Sequence, residues 1–442
     1  MAKIFDKQKW RILILFGLIG QIAWSVENMY FNLFVFERIS PNLNAVTLMV
    51  QASGIAATVV TLVAGAISDK IGNRRSMISI GYLIWGITVA IFGFITPANV
   101  SAAFGIDTEA AVRLCLITVI VGDCVMTLFG STANDAAFNA WVTDNTDESY
   151  RGKTESVLSV MPLISTLIVA GGFGIIVELI DYDMMFLLLG SVITLSGVIG
   201  LFIIKDSDTL EKSGTLKDIF YGFKPSSVRS NKPFYVALLI LCIYSIGSQI
   251  YMPYLIIYMK TYLGFSTVEY SIAFGAAILG AAAINIFLGP ISDKRSKPAL
   301  MYIATAVYAS GLLLMFVANG MEKLPTLIIF AAAGFIMMTG FIFITSLCGA
   351  VIRDHTPDDG AGKLQGVRMI FSVLIPMLTG PMIGNAINAA ANIPLADAGA
   401  DAMTTSYIPS PYIFLAGALV VLLMLALIPL LQYTCRISKK ED

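Results

Sequence analysis

The chain has 442 residues, of which 57% are hydrophobic and 13% charged, with a formal net charge of −1. A soluble domain carries roughly 25% charged residues, so this composition excludes an ordinary soluble enzyme and points to a polytopic membrane protein. One histidine and five cysteines without paired spacing exclude a conventional metal cluster, and no cofactor is expected.

The charged start MAKIFDKQKWR leads into an apolar run too long for a signal-peptide core, with no small-residue cleavage site behind it. It is expected to be a first membrane helix near 10–36. Further apolar runs predict helices near 43–67, 74–96, 110–141, 152–180 and 184–204, then 233–259, 267–291, 298–318, 325–352, 363–391 and 409–436. The expected fold is all-α, with twelve transmembrane helices in two pseudo-symmetric six-helix bundles. The bundles are drawn at 1–204 and 233–442, joined by the polar linker 205–232.

Charge sets the expected orientation. The tails and the even-numbered loops hold 24 Lys and Arg, while the opposite loops hold four: Arg38, Arg113, Lys260 and Lys323. The positive-inside rule then places both termini and the linker in the cytoplasm of a plasma (inner) membrane protein.

Two loop sequences repeat. GAISDKIGNRR (65–75) is echoed by GPISDKRSK (289–297), and DNTDESYRGK (144–153) by DHTPDDGAGK (354–363). Two independent echoes in corresponding loops imply an internal six-helix duplication.

The run Gly-x-x-x-Asp-Lys-x-Gly-x-Arg-Arg after the second helix resembles the loop 2–3 signature of the major facilitator superfamily. Lys70 replaces the commoner Arg, and Asn73 stands where that family usually has a basic residue. Within it, NKPF (231–234) and the passage FNAWVTDNTDESYRGK resemble the glycoside–pentoside–hexuronide:cation symporters, the group of the melibiose permease. The resemblance implies a gating role for Asp69, capping the start of helix 11 near Gly362. It groups Asp69 with Arg74, Arg75 and Asp144, and by symmetry sets Asp293 near Gly152 with Arg353 or Asp354 completing a second cluster.

Polar residues within the apolar runs fall into stripes. Asp123, Thr127, Gly130 and Asn134 share one face of helix 4, and Gln21, Ser25, Asn28 and Asn32 share one face of helix 1. Trp24 flanks that face, whereas Glu27 points roughly 100° away from it by helical-wheel geometry. Helix 7 contributes Tyr244, Ser248 and Tyr251, with Gln249 on another face, and helix 8 contributes Asn285. The candidate solute-binding set is therefore Gln21, Trp24, Asn28, Asp123, Asn134, Tyr244, Gln249, Tyr251 and Asn285. Amides and hydroxyls suit a neutral polyhydroxylated ligand, and an indole face covers a sugar ring. Asp135 and Glu178 are expected to be wet, near the helix ends.

Family symporters of the melibiose type hold a cation with two carboxylates on helix 2, whereas Ser53 and Ala57 occupy those places here. Proton exchange at Asp123 or Glu27 is the expected coupling step instead, since an acid at membrane depth costs roughly 2.5–3.5 kcal/mol when charged. The RGKT run (151–154) is not a phosphate loop, because that signature needs glycine at 147, where Asp stands. The reading is a non-enzymatic secondary transporter for a small polar solute, most simply a sugar or glycoside, working by alternating access with proton, or else sodium, symport. A proton-driven exporter and a non-transporting sensor are the alternatives. Its expected partners are the solute and the bilayer, without nucleic acid, and the chain is expected to act as a monomer.

Overall fold

A chain in hydrocarbon must close its backbone hydrogen bonds within itself, and an apolar run does so by forming a helix. The computed structural model describes residues 6–146, 148–206, 222–356, 361–395 and 407–441. Most of the expected linker therefore lies outside the described residues. Among the described residues the sole β feature is an isolated bridge between Pro394 and Tyr407.

Among the described residues eleven helical spans are long and apolar enough to cross a membrane. They comprise α1 (Lys7–Ile39), α2 (Leu43–Ile71), α3 (Arg74–Phe92) and α4 (Thr108–Asn145). Then come α5 (148–180) and α6 (182–203), which run together as one span. The rest are α7 (Lys232–Thr261), α8 (Thr267–Lys294), α9 (Lys297–Val317), α10 (Lys323–Asp354), α11 (361–391) and α12 (412–441).

The fused span Val157–Ile203 has 47 residues, about twice what one crossing needs. Its backbone breaks at Asp181, with φ 62° and ψ 172°. Neighbours show that the chain reverses there. α5 runs alongside α1, with Gly17 against Met161, Ser25 bonded to Ser165 and Tyr30 near Phe173. α3 runs with α1, Phe16 meeting Tyr82 and Phe31 meeting Phe92. α6 runs against α3, Gly93 meeting Asp183 and Gly86 meeting Gly190 and Thr194. The eleven spans thus hold twelve helices.

Helix starts follow local chemistry. Asp6 and Asp107 accept from the N–H groups of Lys9 and Ala110, both at 2.8 Å, capping α1 and α4. Ser266 and Glu269 close a capping box at α8. The α2–α3 turn explains a departure from the family signature: Gly72 takes φ 69°, and Asn73 caps α3 by accepting from Ser76 N–H at 3.0 Å. A basic residue at 73 would not supply that acceptor.

The chain divides into two compact units. Unit 1 is built on Met1–Pro41 and Ala52–Leu216, and unit 2 on Asn42–Gln51 and Lys217–Asp442. In unit 1, α3 and α6 approach through Gly86 and Gly190; a Cβ on either would lie 2.3–2.5 Å from the opposite helix. In unit 2, Gly311 and Gly340 do the same for α9 and α10. Small residues permit the close packing that replaces a hydrophobic drive in lipid. The first turns of α2 belong to unit 2, where Thr47 shares a 2.7 Å hydrogen bond with Tyr254 and Gln51 donates to the Leu378 carbonyl at 2.7 Å.

Among the described residues five stretches widen into π-helix, four in unit 1 and one in unit 2: Glu27–Phe31, Val35–Ile39, Ser131–Phe138, Val169–Phe173 and Ile370–Leu374. The last precedes Pro376, whose missing N–H interrupts the α ladder of α11.

Candidate functional site

The polar stripe of α4 is buried in unit 1. Asp123 is 2% exposed and Asn134 3%, with Thr127 and Gly130 also buried. The stripe of α1 departs from the straight-helix reading. Gln21 and Ser25 are half-buried and Asn32 is buried, but Asn28 is exposed and donates to the Trp24 carbonyl at 2.8 Å. Asn32 likewise donates to the Asn28 carbonyl at 3.0 Å. These side chains occupy carbonyls one turn back where the ladder widens into the Glu27–Phe31 π segment.

Glu27 closes the α-helical part of α1, its N–H still bonded to the Ala23 carbonyl. It points away from Ser25, which bonds Ser165 on α5, and toward α2 and α4: it is 8% exposed, and its Oε1 accepts from Ser53 at 2.9 Å and from Thr127 at 3.5 Å. Ser53 and Thr127 share a further 2.9 Å bond. Asp123 lies within reach of both Glu27 and Ser53. Glu27 Oε2 and Asp123 Oδ1 are buried without a hydrogen-bond partner. Helices α1, α2 and α4 thus bring two carboxyls and two hydroxyls together. Ser53, read from sequence as a missing acid, is their bridge.

Asp135 also differs from the expectation of a wet helix end. It is half-buried, accepts from Asn134 Nδ2 at 3.2 Å and faces Ser131 and Trp24. The Trp24 indole packs 5.0 Å from that of Trp85, and its N–H is buried without closing a hydrogen bond. A cavity of about 110 Å³ is lined by Gln21, Asn134, Asn139, Phe138, Leu158 and Met161. Asn139 was invisible as a site residue because it falls outside the α-helical stripe. The π segment Ser131–Phe138 brings it round.

In unit 2 most of the candidate side chains are engaged by neighbouring helices or by their own. Tyr244 shares a 2.8 Å bond with Thr345, and Tyr251 shares one of 2.9 Å with Tyr308. Asn285 donates to the Ala281 and Thr339 carbonyls at 2.9 and 3.2 Å, leaving its buried Oδ1 unpartnered. Gln249 is half-buried where Gly380 of α11 comes against its Cβ. Asn388 is buried, and its Oδ1 holds the N–H and hydroxyl of Ser410 at 2.8 and 3.2 Å.

The loop charges resolve into pairs. Arg74 Nε donates to Asp144 Oδ2 at 2.9 Å, and its Nη1 to the buried Ser68 hydroxyl. Arg75 instead binds Asp206 through its backbone N–H at 2.8 Å and the Leu201 carbonyl through its side chain. In unit 2 the partner of Asp354 is Lys297, at the start of α9, and Arg353 is exposed. Lys297 ends the echoed GPISDKRSK motif, so its signal was present in the sequence. The side chains of Asp69 and Asp293, and the surroundings of the predicted cap positions Gly152 and Gly362, lie outside what the structure describes.

Among the described residues no group of three or more His, Cys, Asp or Glu could hold a metal ion. No curated protein matches in sequence. Solved structures match in fold. A variant of the nucleoside transporter NupG superposes with TM-score 0.69 at 11% identity, covering 95% of this chain and 99% of that one. Unsubstituted NupG gives 0.67 at 11%, with 96% and 99% covered. A bacterial metal transporter gives 0.59 at 12%, with 97% and 99% covered. The sequence itself matches the profile of the Major Facilitator Superfamily over residues 13–246 and 237–434. With twelve helices, echoed loops and paired loop charges, the chain belongs to the Major Facilitator Superfamily.

Proposed function

We propose that this transporter moves a small neutral polyhydroxylated solute, a sugar or glycoside, by alternating access, with proton symport through Glu27 and Asp123. One observation carries the coupling. Each carboxyl has a buried oxygen without a partner, and both lie in one hydroxyl-bridged cluster. No basic residue occurs in α1 between Arg11 and Arg38, or in α4 after Arg113. Two buried carboxylates without a counter-charge are prohibitive, so the cluster needs a proton or another small cation.

The amides of Gln21, Asn134 and Asn139 around the cavity offer donors and acceptors to hydroxyls, and no base at this depth would hold an anion. A nucleoside is itself a glycoside and meets the same requirements; the likeness to NupG extends to the fold. The 24-to-four distribution of Lys and Arg supports a plasma-membrane orientation with both termini cytoplasmic. The group of the melibiose permease remains the proposed affiliation within the superfamily, with a monomer as the working unit.

The test is uptake of labelled sugars, glycosides and nucleosides into proteoliposomes. An inward proton gradient is expected to drive accumulation by the unsubstituted protein. Glu27→Gln and Asp123→Asn are expected to exchange solute across the membrane without accumulating it. Accumulation driven by sodium alone, or persisting in both variants, would remove the proton role.

A further inference from the structure

Asn134 stands where three features of unit 1 meet. Its side chain lines the cavity, its Nδ2 donates to Asp135, and its Oδ1 faces the Tyr82 hydroxyl at 2.9 Å. Tyr82 is fully buried, and its hydroxyl also reaches the Phe16 carbonyl, at 2.6 Å. A phenol has one proton. Tyr82 therefore cannot donate to both acceptors at once, and the shorter contact to Phe16 claims the proton.

One arrangement gives each of these three contacts its own hydrogen. If the Asn134 amide turns over, its NH₂ donates to the Tyr82 oxygen while Tyr82 donates to Phe16. The amide oxygen then faces Asp135, which must supply the hydrogen and so must be protonated. With Asp135 ionised, the amide holds its NH₂ toward the carboxylate, and Tyr82 divides one proton between two acceptors. The two amide orientations occupy the same space, so the choice follows the proton rather than the packing.

We propose that Asp135 is a proton-binding residue separate from the Glu27 and Asp123 pair, and that Asn134 is its positioning residue, turning over as the proton comes and goes. Because the same amide lines the cavity, each protonation state offers a different donor and acceptor pattern to whatever lies there. The titratable groups within electrostatic reach of Asp135 are Glu27 on α1 and Tyr82 on α3, with Trp24 and Ser131 as uncharged neighbours. The inference deepens the proton-coupled reading and rests on it for its role in transport. The switch itself can be tested without solute.

The experiment is pH-difference infrared spectroscopy of the full chain in lipid, with isotope-labelled asparagine. A protonated-carboxyl band is expected to titrate in the unsubstituted protein and to be lost in Asp135→Asn, an isosteric change that preserves shape. The band of one asparagine carbonyl is expected to shift with the same midpoint. Both signals are expected to persist in Asp123→Asn, and the asparagine shift to be lost in Tyr82→Phe. A spectrum in which Asp135→Asn loses no band, or in which the asparagine carbonyls stay fixed through the titration, overturns the proposal. If both signals are present but no proton gradient drives any solute, the switch stands and the proton-coupled transport reading fails.

Discussion

Arg74 and Asp144 join the start of α3 to the end of α4 through a 2.9 Å ion pair, and Lys297 and Asp354 join α9 to α10 at the matching place in unit 2. The two pairs differ in environment. The Arg74 and Asp144 side chains are 5% and 24% exposed, whereas those of Lys297 and Asp354 are 26% and 49% exposed. Removing one partner of a buried pair strands a charge, while exposed pairs contribute about 0–1 kcal/mol. Asp144→Asn is therefore expected to destabilise unit 1 by about 2–3 kcal/mol, less than a fully buried pair because Asp144 is partly wet. Asp354→Asn should stay within about 1 kcal/mol. Thermal unfolding of the purified protein compares them, and equal losses would contradict the burial argument.

Gly20 makes room for the Asn134 hydrogen bonds. A Cβ there would lie 2.3 Å from Asn134 Oδ1 and 2.7 Å from the Tyr82 hydroxyl, both on buried residues. Overpacking of this kind costs about 1–3 kcal/mol, so Gly20→Ala should lower the unfolding midpoint and disturb the asparagine infrared band. Gly65→Ala is the control. Nothing lies within 4 Å of its Cβ, and alanine in a helix interior should gain roughly 0.5–1 kcal/mol.

Asp181 holds the reversal between α5 and α6 at φ 62°, where a non-glycine residue costs about 1–3 kcal/mol. Its carboxylate offsets part of that by accepting from Tyr182 N–H at 2.7 Å and pairing with Arg38. Both charged side chains are about half exposed, so the ion pair adds little. Asp181→Gly is expected to be neutral or stabilising by up to about 1 kcal/mol, and Asp181→Val to lose about 1–2 kcal/mol, in the same unfolding assay. A marked loss in the glycine variant would show that the carboxylate outweighs the backbone strain.

The all-α class, the twelve crossings and the superfamily were legible in the sequence by itself. Hydrophobic length is set by the bilayer, and each loop motif is a local run of residues, so both survive in one dimension. The α4 stripe was legible for the same reason, since α4 stays α-helical from Asp123 to Gly130. The site around it belonged to the tertiary structure. Glu27 meets Ser53 and Thr127 on two other helices, and a helical wheel gives the direction of a side chain but not the neighbours it finds there. Asp135 is held by Asn134, and Asn134 faces Tyr82 from a different helix. Lys297 finds Asp354 across 57 residues of chain. Periodicity shows which residues share a face; which face meets which neighbour, and at what rotation, is decided when the helices pack.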